Sequence, residues 1–182
     1  MELTDQEKKA LLDIAKRAIM AKAGNRELPK LTIDLPILNE KRGAFVTLKK
    51  RGHLRGCIGY IKAVKPLGDT VQEMAIAAAF HDPRFPSVKG DEIRDLSFEI
   101  SVLSPLQKIK DIEDIEVGKH GLYIVRGYNS GLLLPQVATE YGWDRETFLK
   151  ETCYKAGLPP KAWKDKETEI YIFSADYFSD KD

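Results

Sequence analysis

Gly43-Ala44-Phe45-Val46-Thr47-Leu48-Lys49-Lys50-Arg51-Gly52-His53-Leu54-Arg55-Gly56-Cys57-Ile58-Gly59-Tyr60-Ile61 is the stretch on which the fold turns. Gly43 to Lys50 carries the aromatic and β-branched residues that suit a strand, and Leu54 to Ile61 does the same. Between them Lys49-Lys50-Arg51-Gly52-His53 reads as a turn. Two such runs joined by a short glycine-containing turn predict a β-hairpin, and therefore antiparallel neighbours.

On the N-terminal side, Thr4-Asp5-Gln6-Glu7 has the form of a capping box, in which Thr and Glu side chains satisfy free N–H groups at a helix start. Leu11, Ile14, Ala15, Ala18 and Ile19 follow with helical spacing, and Gly24-Asn25 suits the end. Residues 25–39, with Pro29 and Pro36, read as an irregular connection. On the C-terminal side, Pro66-Leu67-Gly68-Asp69 breaks the strand pattern. Asp69 or Thr70 is expected to cap a second helix, with apolar Val71, Met74, Ala75, Ala78 and Ala79, which stops near His81-Asp82-Pro83.

Leu96 to Leu103 alternates cleanly, with Leu96, Phe98, Ile100 and Val102 on one face and Ser97, Glu99 and Ser101 on the other, as in a half-buried strand. Gly121 to Tyr128 reads as a strand that Asn129-Ser130-Gly131 turns into Leu132-Leu133-Leu134. Pro135 is expected to open a short helix and Asp144 to cap another, closed by Gly157. Glu169 to Phe173 is a final strand. Hairpins dominate, and strands do not alternate regularly with helices. The expected class is α+β: an antiparallel or mixed sheet with helices packed around it.

The 182 residues, 43% of them hydrophobic, suffice for one domain over residues 1–182, with room for a small discontinuous subdomain. Lys and Arg together number 29 against 28 Asp and Glu, so the chain is not globally basic as a general nucleic-acid binder would be. No apolar run reaches the ~20 residues of a membrane span. The opening Met1-Glu2-Leu3-Thr4-Asp5 lacks a signal pattern, so a cytoplasmic location is expected. Cys57 and Cys153 are far apart and form no CxxC; free thiols in a reducing compartment are the simplest reading, and a Cys57–Cys153 bridge is the alternative. No dinucleotide or phosphate-loop signature occurs, and the histidines and cysteines lack metal-ligand spacing, so neither cofactor nor metal is expected.

The segment with most chemical content is Leu54-Arg55-Gly56-Cys57-Ile58-Gly59. Strand alternation puts Arg55, Cys57 and Gly59 on one face, with neighbours roughly 6.6 Å apart. Arg55 is then expected to favour the Cys57 thiolate. Gly56 and Gly59 weaken a strand interior unless the backbone bulges or another group comes close. In that role they leave N–H groups free to hold a developing oxyanion. The structural alternative is Cys57 as a small buried hydrophobe. His81-Asp82-Pro83-Arg84-Phe85 brings an imidazole, a carboxylate and a guanidinium to a helix exit. His81 is the expected general base, and the alternative is a plain helix terminus. Glu99 and Ser101 belong either to the same site or to a solvated sheet face. Lys49, Lys50, Arg51, His53 and Arg55 form a basic run that suits phosphate or a solvated hairpin tip.

Together Leu54-Arg55-Gly56-Cys57-Ile58-Gly59, Ala78 to Phe85, Ile100-Ser101-Val102-Leu103-Ser104, Gly131 to Ala138 and Tyr141-Gly142-Trp143 resemble the hallmark segments of the AMMECR family. The resemblance covers most of the chain. It implies an α+β fold with a larger and a smaller subdomain and a cleft near the Cys57 segment. It also implies companionship with Memo-like and radical-SAM proteins, in a pathway of RNA or small-molecule modification.

The first functional expectation is a Cys-dependent transferase or hydrolase, with Cys57, His81 and Glu99 catalytic and Arg55, Gly56, Gly59, Arg84 and His53 binding an RNA or small anionic substrate. The second is a non-catalytic anion- or RNA-binding module, in which Cys57 is packing. The third is a protein-interaction scaffold. A monomer or homodimer is expected in each case.

Overall fold

A computed structural model describes residues 2–181; Met1, the first residue of the acidic opening stretch, lies outside them. The elements are α1 (Asp5–Ala23), α2 (Pro36–Asn39), β1 (Ala44–Lys50), β2 (His53–Tyr60), α3 (Leu67–Phe80), β3 (Leu96–Leu103), β4 (Gln107–Ile109), β5 (Gly121–Arg126), β6 (Asn129–Leu133), α4 (Pro135–Glu140), α5 (Arg145–Lys155), β7 (Glu169–Phe173) and β8 (Ala175–Ser179). They build two four-stranded antiparallel sheets with helices against them, ordered β2-β1-β3-β8 and β4-β7-β5-β6. The class is α+β. The chain divides into two compact units. One runs to Leu103 and resumes at Asp176, and the other is Ser104–Ala175.

In the first unit α1 starts as its capping box predicts, with Thr4 and Glu7 satisfying each other's backbone N–H groups. Its apolar side, including Leu11, Ala15 and Ile19, joins Val71, Ala75 and Ala78 of α3 and Val46, Leu48, Phe98 and Ile100 of the sheet in one core. That apolar burial is the main favourable contribution to the unit. The start of α3 departs from expectation. Neither Asp69 nor Thr70 caps it; the helix begins at Leu67 after Pro66, with no side-chain cap. Leu67 is fully buried, and helical geometry from that point carries it into the core.

The second unit packs α5 and α4 on its sheet around Leu122, Ile124, Phe148, Leu149 and Ile172. Its hairpin turns earlier than the Asn129-Ser130-Gly131 composition suggested. Asn129 already opens β6 and pairs with Arg126. The turn falls at Gly127, whose φ of 59° is left-handed and therefore easy for glycine. Strands β4 and β8 were not anticipated, because both are short and lack a clear alternation.

Candidate functional site

In the first sheet β1 lies between β2 and β3, and Thr47 is paired with Cys57 on one side and Glu99 on the other. Directly paired residues share a face, so Cys57, Thr47 and Glu99 form one row across three strands. Val46 and Leu48 point into the core; the row lies on the opposite face. The Thr47 hydroxyl donates to Cys57 Sγ at 3.0 Å. Glu99 Oε1 is 2.6 Å from Lys49 Nζ, one step along the same face of β1. Cys57 is half-buried and a free thiol. The Glu99 side chain is only 16% exposed, and Ser97 and Ser101 are buried. The face is polar, but the solvated sheet surface considered for Glu99 and Ser101 is not what the fold provides.

Arg55 is placed differently from the alternation rule. Leu48 pairs with Gly56 and Lys49 pairs with Leu54, so Arg55 has no partner and the strand bulges there. The bulge sends the guanidinium to the helix side of the sheet. There it donates to both carboxylate oxygens of Glu92, at 3.4 and 3.2 Å, and to the Pro86 carbonyl at 2.8 Å. Lys50 Nζ joins the same carboxylate at 2.8 Å. The Lys50 hydrogen bond first, then the Lys89 N–H and Arg55, hold the Glu92 carboxyl down to about 2. The basic run is thus split between two faces, with Arg51 and His53 exposed at the tip.

Residues 82–84 cap the free edge of β2. The Cys57 N–H donates to Asp82 Oδ2 at 2.9 Å, and Arg84 Nη2 donates to the Cys57 carbonyl at 3.2 Å. Arg84 also closes on Asp82 through its own N–H, Nε and Nη2. An acid–base pair therefore mimics the next strand on an edge that would otherwise be open. The Asp82 side chain is 1% exposed and that of Arg84 is 54% exposed. The Arg84 hydrogen bonds hold the Asp82 carboxyl well below the usual range although burial opposes this; the Cys57 N–H assists. Asp82 in turn raises Arg84, with a smaller electrostatic contribution from Cys57. The cation bonded to the Cys57 backbone is Arg84, not Arg55.

His81 is the exposed C-cap of α3. It lines a cavity with Lys65, Asp69, Gln72 and Glu73, and the side-chain partner of the Cys57 sulfur is Thr47 instead. The glycines have packing explanations. A Cβ on Gly56 would lie 2.1 Å from the Ala78 carbonyl oxygen of α3, and one on Gly59 would lie 2.3 Å from the Phe45 ring. Gly56 therefore faces the helix, not the row. The row brings together Cys57 and Glu99 of the expected residues, adds Arg84 at the backbone, and leaves His81, Arg55, Gly56 and His53 elsewhere. Sequence reasoning missed Thr47, and it placed Lys49 only in a basic run and Asp82 only as the carboxylate beside His81. Register alone could have revealed Thr47 and Lys49, and a buried carboxylate two residues before an arginine marks Asp82. Among the described residues, no three His, Cys, Asp or Glu side chains are placed to share a metal ion.

Residues 12–178 match the AMMECR1 family model. A protein of Methanothermobacter thermautotrophicus is 48% identical over 184 residues, covering 97% of this chain and 95% of its own length. Protein PH0010 of Pyrococcus horikoshii is 44% identical over 193 residues, covering 99% and 93%. The crystal structure of that uncharacterised protein superposes with a TM-score of 0.91 at 42% identity, covering 98% of this chain and 94% of the other.

Proposed function

The chain belongs to the AMMECR1 family, and we propose that it carries out a thiol-dependent modification of an RNA or small anionic molecule on the face bearing Cys57. The observation carrying this reading is the row Cys57–Thr47–Glu99, with a hydroxyl donating to the sulfur at 3.0 Å. The hydroxyl gives the sulfur a polar partner on the row, and Arg84 and Asp82 fix the Cys57 backbone beneath it. Cys57 is the nucleophile in this scheme. Glu99, steadied by Lys49, accepts or returns the proton, and Lys49 holds the substrate's negative charge.

Iodoacetamide labelling of the folded chain across the neutral pH range, read by peptide mass spectrometry, tests the scheme. Cys57 should label at least ~100-fold faster than Cys153, which must wait for the second unit to open. Labelling should slow several-fold in Thr47→Val. A Cys57 as inert as Cys153 would rule out nucleophilic chemistry.

A second reading is anion or RNA-phosphate binding without chemistry, favoured by the half-exposed Arg84 guanidinium. In that case Cys57→Ser keeps binding, Arg84→Ala loses it, and affinity falls steeply with salt.

A further inference from the structure

The helix side of the first sheet holds a cavity of about 630 Å³, between the C-terminal end of α1 and the start of β3. Its volume is that of an ordinary small-molecule site. Met20, Ile93, Leu96 and Phe98 give it an apolar floor. Leu96 and Phe98 are core-face residues of β3, so this cavity and the Cys57 row lie on opposite faces of one sheet.

The rim carries Lys16, Arg26 and Arg94 against a single carboxylate, Asp180. Lys16 is paired with Asp180 at 2.8 Å, and Asp180 also accepts from the Phe98 N–H at 2.9 Å. That carboxylate is therefore already engaged. Arg26 donates one N–H to the Met20 carbonyl at 3.4 Å, which offsets the partial negative charge at the end of α1. Its remaining donors are free of that contact. The Arg94 side chain makes no ion pair or hydrogen bond among the described residues. Two exposed guanidiniums thus stand at the mouth of an apolar hole, beside a half-exposed methionine.

We propose that this cavity binds a small amphiphile with an apolar body and one anionic head. The body lies on Met20, Ile93, Leu96 and Phe98, and the head is held by Arg94 and Arg26. A planar guanidinium suits carboxylate and phosphate heads alike. An uncharged molecule of the same shape gains only the apolar contacts, and a cationic one meets the two arginines.

The chain's methionines make the test direct, because Met20 lines this cavity and Met74 lines the separate one beside His81. NMR of isotope-labelled methionine methyl groups is followed while octanoate, octanol or octyltrimethylammonium is added to the full chain. Octanoate should shift the Met20 signal saturably at millimolar concentration, about tenfold more tightly than octanol and with no saturation by the cation. Octyl phosphate should match octanoate if the head group is read only as an anion; a preference for one of the two identifies the head. Arg94→Ala combined with Arg26→Ala should weaken octanoate about tenfold and leave octanol unchanged. An unchanged Met74 signal verifies the fold of the variant. The proposal fails if Met20 does not respond, if octanol binds as well as octanoate, or if Met74 responds in place of Met20.

Discussion

The two sheets of this protein share two packing devices and differ in what lies between them. In each hairpin the second strand carries a glycine under a helix backbone. Gly56 meets Ala78 of α3, and Gly131 meets the Ala156 N–H at the end of α5. In each sheet another glycine lies under a cross-strand phenylalanine, Gly59 under Phe45 and Gly121 under Phe173. The row between these devices is Cys57–Thr47–Glu99 in the first sheet. In the second it is Leu132–Tyr123–Tyr171, with the tyrosine rings 5.9 Å apart. The glycines beside Cys57 therefore have packing counterparts in the second unit and say nothing about chemistry. The polar row is what distinguishes the first sheet.

The largest effect should come from the helix-facing glycines. A Cβ 2.1 Å from the Ala78 oxygen or 2.4 Å from the Ala156 nitrogen meets backbone, which cannot swing aside. Gly56→Ala and Gly131→Ala should each cost about 3 kcal/mol or more in denaturant unfolding, at the upper end of overpacking effects. Equal losses support a shared device. A mild Gly56→Ala beside a severe Gly131→Ala would break the parallel and return Gly56 to a functional role.

Next comes the edge cap, which belongs to the first sheet. Asp82→Ala removes the acceptor for the Cys57 N–H and the partner of Arg84. Hydrogen bonds to charged groups suggest a cost of about 2–3 kcal/mol. The pH dependence has a definite sign. A carboxyl depressed in the folded state stabilises above its unfolded pKa, and that stability disappears as pH falls through the folded value. Asp82 is depressed from 3.8 and Glu92 from 4.5 to about 2. Stability should fall as the solution is acidified below about 4.5. Glu92→Gln should flatten the part of this loss between about 4.5 and about 2, measured by urea midpoints across that range.

Much of this architecture was legible in the residues. The capping box at Thr4, the strand at Leu96–Leu103 and the Asp144 cap act within a few residues, and the folded chain keeps them, although the strand is buried on both faces where alternation predicted only one. The misreadings share a cause in longer-range packing. Arg55 left the Cys57 face because of one bulge, and alternation assumes that no bulge occurs. The start of α3 follows the burial of Leu67, not the capping chemistry of Asp69. At the site, Cys57 and Glu99 were visible as strand residues, but Thr47 became meaningful only through the register joining three strands. Nothing local to His81 distinguishes a helix terminus from a general base.

The smallest effect on stability separates chemistry from packing in the two central rows. Thr47→Val keeps the shape of the side chain and removes the hydroxyl donor to Cys57 Sγ. Valine suits the centre of a strand, so unfolding stability should change by less than about 1 kcal/mol. Tyr123→Val in the other sheet loses a ring contact as well as buried area, and should cost about 1 kcal/mol or more. The two substitutions should then differ in opposite senses. Tyr123→Val weakens the fold and leaves Cys57 labelling alone, while Thr47→Val leaves the fold and slows labelling. If Thr47→Val costs as much as Tyr123→Val and labelling is unchanged, the row in the first sheet is packing like its counterpart, and Cys57 is only the residue that fits beside it.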